Sequence, residues 1–285
     1  MNSQTLIDPH ALAALQRDGD VLVVDCRFEL SDPGRGERAW LEGHVPGAVY
    51  AHLERDLSGP QQPGLGRHPL PGDAAFSATL SRWGWRPDLD VVAYDEAGGA
   101  LAAARLWWLL RLAGQRRVAV LDGGLAAWRA AGLPLETGQV VREPSAVHVA
   151  LDHSGVVGAG EIEQRLGDPA QALLDARGAP RYRGEVEPID PAAGHVPGAL
   201  NRPFTENLDA DGRFKPREAL RAEFSALLGE RPASAAVHMC GSGVTACHNL
   251  LAMEHAGLAG SRIYAPSWSG WVADPAHPVA TGAAP

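Results

Sequence analysis

The chain contains itself twice. VVDCR at 23–27 returns as LLDAR at 173–177, and EGHVPGAV at 42–49 returns as AGHVPGAL at 193–200. VVAYD at 91–95 is matched by AVHMC at 236–240, and VAVLDGGLAAW at 118–128 by SRIYAPSWSGW at 261–271. The order is kept and the spacing between copies drifts by only a few residues. That pattern is a duplicated domain with altered loop lengths, not a short-period solenoid. A length of 285 residues holds two domains of ordinary size. The expected organisation is a first domain over 1–133, an irregular linker over 134–156 and a second domain over 157–285.

Within each copy, apolar Val- and Leu-rich runs alternate with helix-period segments. VLVVD, VVAYD and RVAVLD read as buried strands of the first copy, and ALLD, AAVHM and RIYA as those of the second. Asp8 before Pro9 reads as an N-cap with proline at the first helical position, opening a helix to about Gln16. ALAAARLWWLLRLAG, KPREALRAEFSALLG and GVTACHNLLAMEHAG read as helices that each stop at a glycine. Strands that are apolar throughout, joined by helices, predict an α/β fold. Each domain should hold a parallel sheet with helices on both faces.

Such sheets bind ligands beyond the carboxyl ends of their strands. Cys240 falls there, between the strand AAVHM and the loop GSGVT that opens a helix. Glycines at 241 and 243 allow the backbone to curl and turn N–H groups toward one point. The helix adds the positive end of its dipole. Gly241, Ser242, Gly243, Val244 and Thr245 are therefore the expected cradle for an anionic sulfur on Cys240, the candidate nucleophile. The matching position in the first copy is Asp95, which has no sulfur, so the first domain is expected to be structural.

Composition narrows the function classes. The formal charge of −9 argues against nonspecific nucleic-acid binding. No apolar run reaches the roughly 18 residues of a membrane span, and the first residues lack the basic and apolar regions of a secretory signal. Three cysteines form no disulfide framework, so a reducing cytoplasm is the expected compartment. His248 and His255 share a helix face without a third ligand, so no metal site is expected; a cysteine nucleophile held by backbone N–H groups needs no organic cofactor. A cysteine-dependent phosphatase needs an arginine six residues after its cysteine, where this chain has Ala246. A non-enzymatic sulfur-sensing module is a further alternative, opposed by the intact cradle around Cys240.

The ordered duplication, the two GHVPGA segments and the loop CGSGVT at 240–245 together resemble the tandem-domain rhodanese sulfurtransferases, over nearly the whole chain. The six-residue loop is most similar to the 3-mercaptopyruvate branch, because the thiosulfate branch usually has two basic residues where Gly241 and Ser242 stand. The resemblance implies two tandem rhodanese-like domains and a Cys240 persulfide. The donor expected is 3-mercaptopyruvate, with thiosulfate as the alternative. The acceptors expected are cyanide, small thiols or a protein thiol such as thioredoxin. It also implies that Ser242 contacts substrate or relays a proton. Arg181, with Arg177 as a weaker candidate, would hold the donor's anionic group, and His44 is a possible cleft contact from the first domain. Arg183 reads as solvent-exposed, Cys26 and Cys247 as packed thiols, and Trp268 and Trp271 as core or cleft wall. One departure stands out. The mercaptopyruvate branch usually has a second arginine nine residues after the first, and here that residue is Asp190.

Overall fold

The computed structural model of the chain describes residues 5–285. Residues 1–4, which open the expected first domain, lie outside the described residues. The chain divides into two compact units. One holds the residues up to Gly59 together with 70–152 and 210–214. The other holds 60–69, 153–209 and 215–285.

The first unit is a five-stranded parallel sheet of β1 (Leu6–Ile7), β2 (Val21–Asp25), β3 (Val49–Tyr50), β4 (Asp90–Tyr94) and β5 (Val118–Leu121), in the order β1-β5-β4-β2-β3. The second is built alike from β6 (Val156–Val157), β7 (Ala172–Asp175), β8 (Leu200–Asn201), β9 (Ala236–Met239) and β10 (Arg262–Tyr264), in the order β6-β10-β9-β7-β8. Renumbered within its own unit, the second order is the same as the first. Every residue of β2, β4, β7 and β9 is buried, which is why these strands read as unbroken apolar runs and not as alternating ones.

The expected helices form with modest shifts at their ends. Asp8 caps Pro9–Asp18, its carboxylate accepting from the N–H of His10 and Ala11 at 2.9 and 3.0 Å. Ala103–Leu112, Arg217–Leu228 and Thr245–His255 fill the other three predicted segments. The domain boundaries differ from the expected ones in three places, the smallest being residues 210–214, which fall in the first unit. Residues 134–152 do not hang free as a linker. They are tied to the first unit through Glu136 to His44, Gly138 to Leu41 and Ser145 to Ser81. Residues 60–69 leave the first unit and pack with the second, where the Arg67 N–H donates to Ser269 Oγ at 3.1 Å.

The repeated motifs explain each other. In the first unit Arg27 grips the Asp25 carboxylate and donates to the carbonyl of Gly43 at 2.8 Å. In the second, Arg177 does the same with Asp175 and with Gly194 at 2.7 Å. Both ion pairs are buried, so losing one partner strands a charge in a low dielectric. Each pair ties the end of a central strand to the glycine of GHVPGA. The histidine that follows has the same job in each copy. His44 stacks on Trp40 with Nδ1 2.7 Å from the Trp40 carbonyl, and His195 stacks on Tyr182 with Nδ1 2.9 Å from the Tyr182 carbonyl.

β9, the strand that carries Cys240, holds a buried polar group of its own. Both ring nitrogens of His238 are buried without a hydrogen-bond partner, and burial pushes its imidazole down to about 3 from 6.5. Below about pH 6.5 the unfolded chain takes up this proton while the folded chain stays neutral. Stability present above that pH is therefore lost as pH falls toward 3, by up to about 1.4 kcal/mol per pH unit. Urea unfolding at pH 6.5 and pH 5 is expected to show a loss of roughly 1.5 kcal/mol from this residue. His238→Val is expected to remove that part of the slope.

Candidate active site

Cys240 sits directly beyond β9, with its side chain almost wholly covered at 2% exposure. Its counterpart by geometry is Asp95, beyond β4. The Trp268 N–H donates to the Cys240 carbonyl at 2.9 Å, and the Leu125 N–H donates to the Asp95 carbonyl at 2.9 Å. The two positions hold different anions. The Asp95 carboxylate accepts from the N–H groups of Ala97, Gly99, Leu101, Ala102 and Ala103, at 2.8–3.2 Å. Burial pushes its carboxyl up against the pull of those N–H groups. This cradle is filled by the chain itself.

In the second unit the loop is shorter and its occupant is the sulfur. The Gly243 N–H points at Cys240 Sγ, 3.1 Å away. Gly243 lies at φ +77°, a left-handed conformation that a side chain would strain. Gly241 is small for a different reason. A Cβ there would lie 3.1 Å from Arg67 Nη2 and 3.5 Å from Arg181 Nη1. Of the expected cradle, Gly243 therefore meets the sulfur, Val244 and Thr245 open the helix Thr245–His255, and Ser242 turns its hydroxyl to His68.

The amide of Cys240 itself is held from below. Ser267 Oγ accepts from the Cys240 N–H at 3.1 Å and donates to the Tyr264 carbonyl at 3.0 Å. Ser267 is the only non-glycine with positive φ among the described residues, at 54°, and the matching residue of the first unit is Gly124 at φ 55°. Strain is kept here because the hydroxyl fixes the backbone of Cys240.

Arginines surround the loop, but not as the sequence arranged them. Arg181 donates from Nη2 and Nε to Glu187 at 2.7–3.2 Å and from Nη2 to Asp190 at 3.1 Å. The other ligand of Asp190 is Arg67, through Nη1. Burial works against ionising Glu187, but Arg181 and the N–H groups of Asp190 and Ile189 hold its carboxyl below the usual range. Burial pushes Asp190 up, Glu187 adds to this, and Arg67 and Arg181 oppose it.

Arg177 is not part of this group in the way expected. Its Nε and Nη2 go to Asp175 and Gly194 and its guanidinium lies 4.5 Å over the ring of Trp268, as Arg27 holds Asp25 and Gly43 in the first unit. The buried Nη1 of Arg177 has no hydrogen-bond partner and lies 3.5 Å from Glu187. His44, the possible cleft contact, is wholly buried and stacked on Trp40 in its own unit, which fits the turn-bracing role it shares with His195. Trp268 and Trp271 are core, with indole N–H groups donating to the carbonyls of Ala192 and Pro278. Cys247 Sγ lies 3.3 Å from the Gly243 carbonyl, and burial pushes the Cys26 thiol well up. Among the described residues no group of three or more His, Cys, Asp or Glu is placed to hold a metal ion.

Two residues were missed from sequence. His68 is buried with Nδ1 2.8 Å from Ser242 Oγ, and Arg67 stands over Gly241. Both come from the stretch between the helices Leu53–Asp56 and Asp73–Arg82. A long, Pro- and Gly-rich connection carrying an Arg-His pair is itself a signal, since irregular loops of that length are usually functional.

Comparison with known proteins agrees with this architecture. The rhodanese-like domain family matches residues 8–131 and 158–274. A Pseudomonas aeruginosa protein named a probable 3-mercaptopyruvate sulfurtransferase is 53% identical over 284 residues, covering 99% of this chain and 100% of the relative. A Mycobacterium tuberculosis relative with a provisional thiosulfate sulfurtransferase name is 42% identical over 285 residues, 99% of this chain and 98% of its own. The solved 3-mercaptopyruvate sulfurtransferase from Leishmania major superposes with a TM-score of 0.82 at 31% identity, over 94% of this chain and 74% of that one. The chain belongs to the rhodanese-like family, and within it to the two-domain sulfurtransferase enzymes. No helix among the described residues is long and apolar enough to cross a membrane.

The support under Cys240 is open to a direct test. Ser267→Ala keeps the strained backbone and leaves the buried Cys240 N–H unpaired, which is expected to cost about 1–3 kcal/mol in denaturant unfolding. Ser267→Gly relieves the strain and is expected to cost less than the alanine variant.

Proposed function

We propose that the protein moves a sulfane sulfur from 3-mercaptopyruvate to a thiol or cyanide acceptor through a persulfide on Cys240. The observation that carries this reading is one piece of geometry. A cysteine at the end of a central strand has its sulfur on the Gly243 N–H, beside a loop without charged side chains and with Arg181 Nη1 directed at Gly241.

In the first half-reaction the Cys240 thiolate attacks the sulfur of the donor. An S–S bond forms, the C3–S bond breaks, and its electron pair passes into the enolate of pyruvate. The enolate takes a proton at C3, leaving pyruvate and the Cys240 persulfide. Ser242 Oγ and His68 Nδ1, 2.8 Å apart, form a proton path beside the loop. In the second half-reaction an acceptor thiolate attacks the outer sulfur, the S–S bond breaks, and the Cys240 thiolate returns. The Gly243 N–H suits the sulfur at each stage, because thiolate and persulfide are both anionic. Small thiols and an exposed protein thiol of the thioredoxin type are the acceptor class in this proposal.

The neutral loop favours mercaptopyruvate over thiosulfate. Thiosulfate keeps a sulfonate on the atom next to the transferred sulfur, so its charge falls within the loop, which has only backbone dipoles to meet it. Mercaptopyruvate holds its carboxylate further from the sulfur, where a guanidinium waits. Side-by-side kinetics are expected to give a higher kcat/KM for mercaptopyruvate; a higher value for thiosulfate would refute the donor assignment. Cys240→Ser is expected to abolish turnover and the mass gain of one sulfur after donor treatment, whereas Cys247→Ser keeps most activity. Ser242→Ala is expected to lower kcat at least tenfold, about 1.4 kcal/mol.

A further inference from the structure

Arg181 has one free edge. Its Nε and Nη2 are committed to Glu187 and Asp190, so only Nη1 is left for a ligand. A single N–H edge cannot grip both oxygens of a carboxylate in the forked geometry that makes such pairs strong. The missing edge is supplied by a residue far away in sequence. Arg67 gives Nη1 to Asp190, its Nε is buried without a hydrogen-bond partner, and its Nη2 stands over Gly241 next to Arg181 Nη1. Two guanidiniums thus turn uncommitted N–H groups toward the residue that follows Cys240.

Asp190 makes the pairing possible. One carboxylate, with only 3% of its side chain exposed, takes a contact from each arginine and holds the two like charges side by side. The Arg67 side chain is 23% exposed, and with Asp190 it lines an open cavity of about 470 Å³.

We infer that Arg67 and Arg181 jointly bind the donor's carboxylate, one oxygen on each, with Asp190 as the positioning residue that spaces them. The inference rests on the proposed mercaptopyruvate reading and names the residue that completes its donor site. Carboxylate binding of this kind is made before the C–S bond breaks and persists through it, so its loss raises KM more than it lowers kcat.

The test is steady-state kinetics with mercaptopyruvate, and product inhibition by pyruvate, on the full chain. Arg67→Gln is expected to raise KM and the pyruvate inhibition constant at least tenfold with kcat within threefold, and Arg181→Gln to do likewise. Arg67→Lys keeps the charge without the planar fork and is expected to give intermediate values. It also serves as the reading should the glutamine variant fold poorly. A wild-type protein that turns over mercaptopyruvate, with KM and pyruvate inhibition unchanged within twofold in the Arg67 variants, overturns this inference alone. A wild-type protein that takes sulfur only from thiosulfate overturns the donor assignment, and this inference with it.

Discussion

A parallel sheet sends the carboxyl ends of its strands, and the amino ends of the helices that follow, to one edge. At the centre of that edge, backbone N–H groups converge and an anion has to be held. The two halves of this chain meet the requirement in different ways. The first places Asp95 in the gap and surrounds its carboxylate with five N–H groups. The second shortens the loop and places Cys240 there, with the Gly243 N–H on its sulfur. One solution is closed by its own side chain. The other holds a cysteine sulfur, which on the proposed reading forms and breaks a bond without the cradle having to move. The two halves differ here in the occupant of the cradle and not in strand order.

The cradle depends on supports that the duplication repeats. Asp25–Arg27 and Asp175–Arg177 are each buried and each reach on to a glycine carbonyl of a GHVPGA segment. Breaking such a pair costs far more than the pair contributes, because the remaining charge has no water. That asymmetry explains why Arg177 belongs to the scaffold even though it lies close to the site. Its charge is matched by Asp175, and it packs over the ring of Trp268, whose backbone N–H donates to the Cys240 carbonyl. The scaffold arginine thus packs against the residue that holds the Cys240 backbone.

Much of this was legible in the sequence, for reasons that are local. Val-rich runs buried on both faces announce parallel strands, Asp8-Pro9 announces a helix start, and Cys240 between an apolar run and a glycine loop announces the carboxyl end of a strand. Arg67 and His68 were not legible in the same way. Nothing in GPQQPGLGRHPLP has strand or helix period, and no spacing rule connects it to residues more than a hundred positions later. It reaches the second unit through contacts such as the Arg67 N–H on Ser269 Oγ, which only the fold reveals. His44 and Arg177 each left two readings open in sequence, since a residue that recurs in both copies can brace a turn or face a ligand. In space His44 stacks on Trp40 and Arg177 grips Asp175.

The acidic residue at 190 shows how a local reading and a spatial one diverge. In sequence, Asp190 stands where a second arginine was expected and counts against mercaptopyruvate as the donor. In space it lies between Arg67 and Arg181, and with Glu187 it brings four charged groups close to neutrality. Two bare guanidiniums at that separation would repel each other in a partly dry site. A carboxylate between them removes the repulsion, and each still keeps an N–H edge for a ligand. A balanced site of this kind binds one further negative charge through directed hydrogen bonds more readily than it binds two through net attraction. On the proposed reading, that favours a monoanionic 2-oxo acid carboxylate over the doubly charged thiosulfate, in the same direction as the uncharged loop beside Cys240.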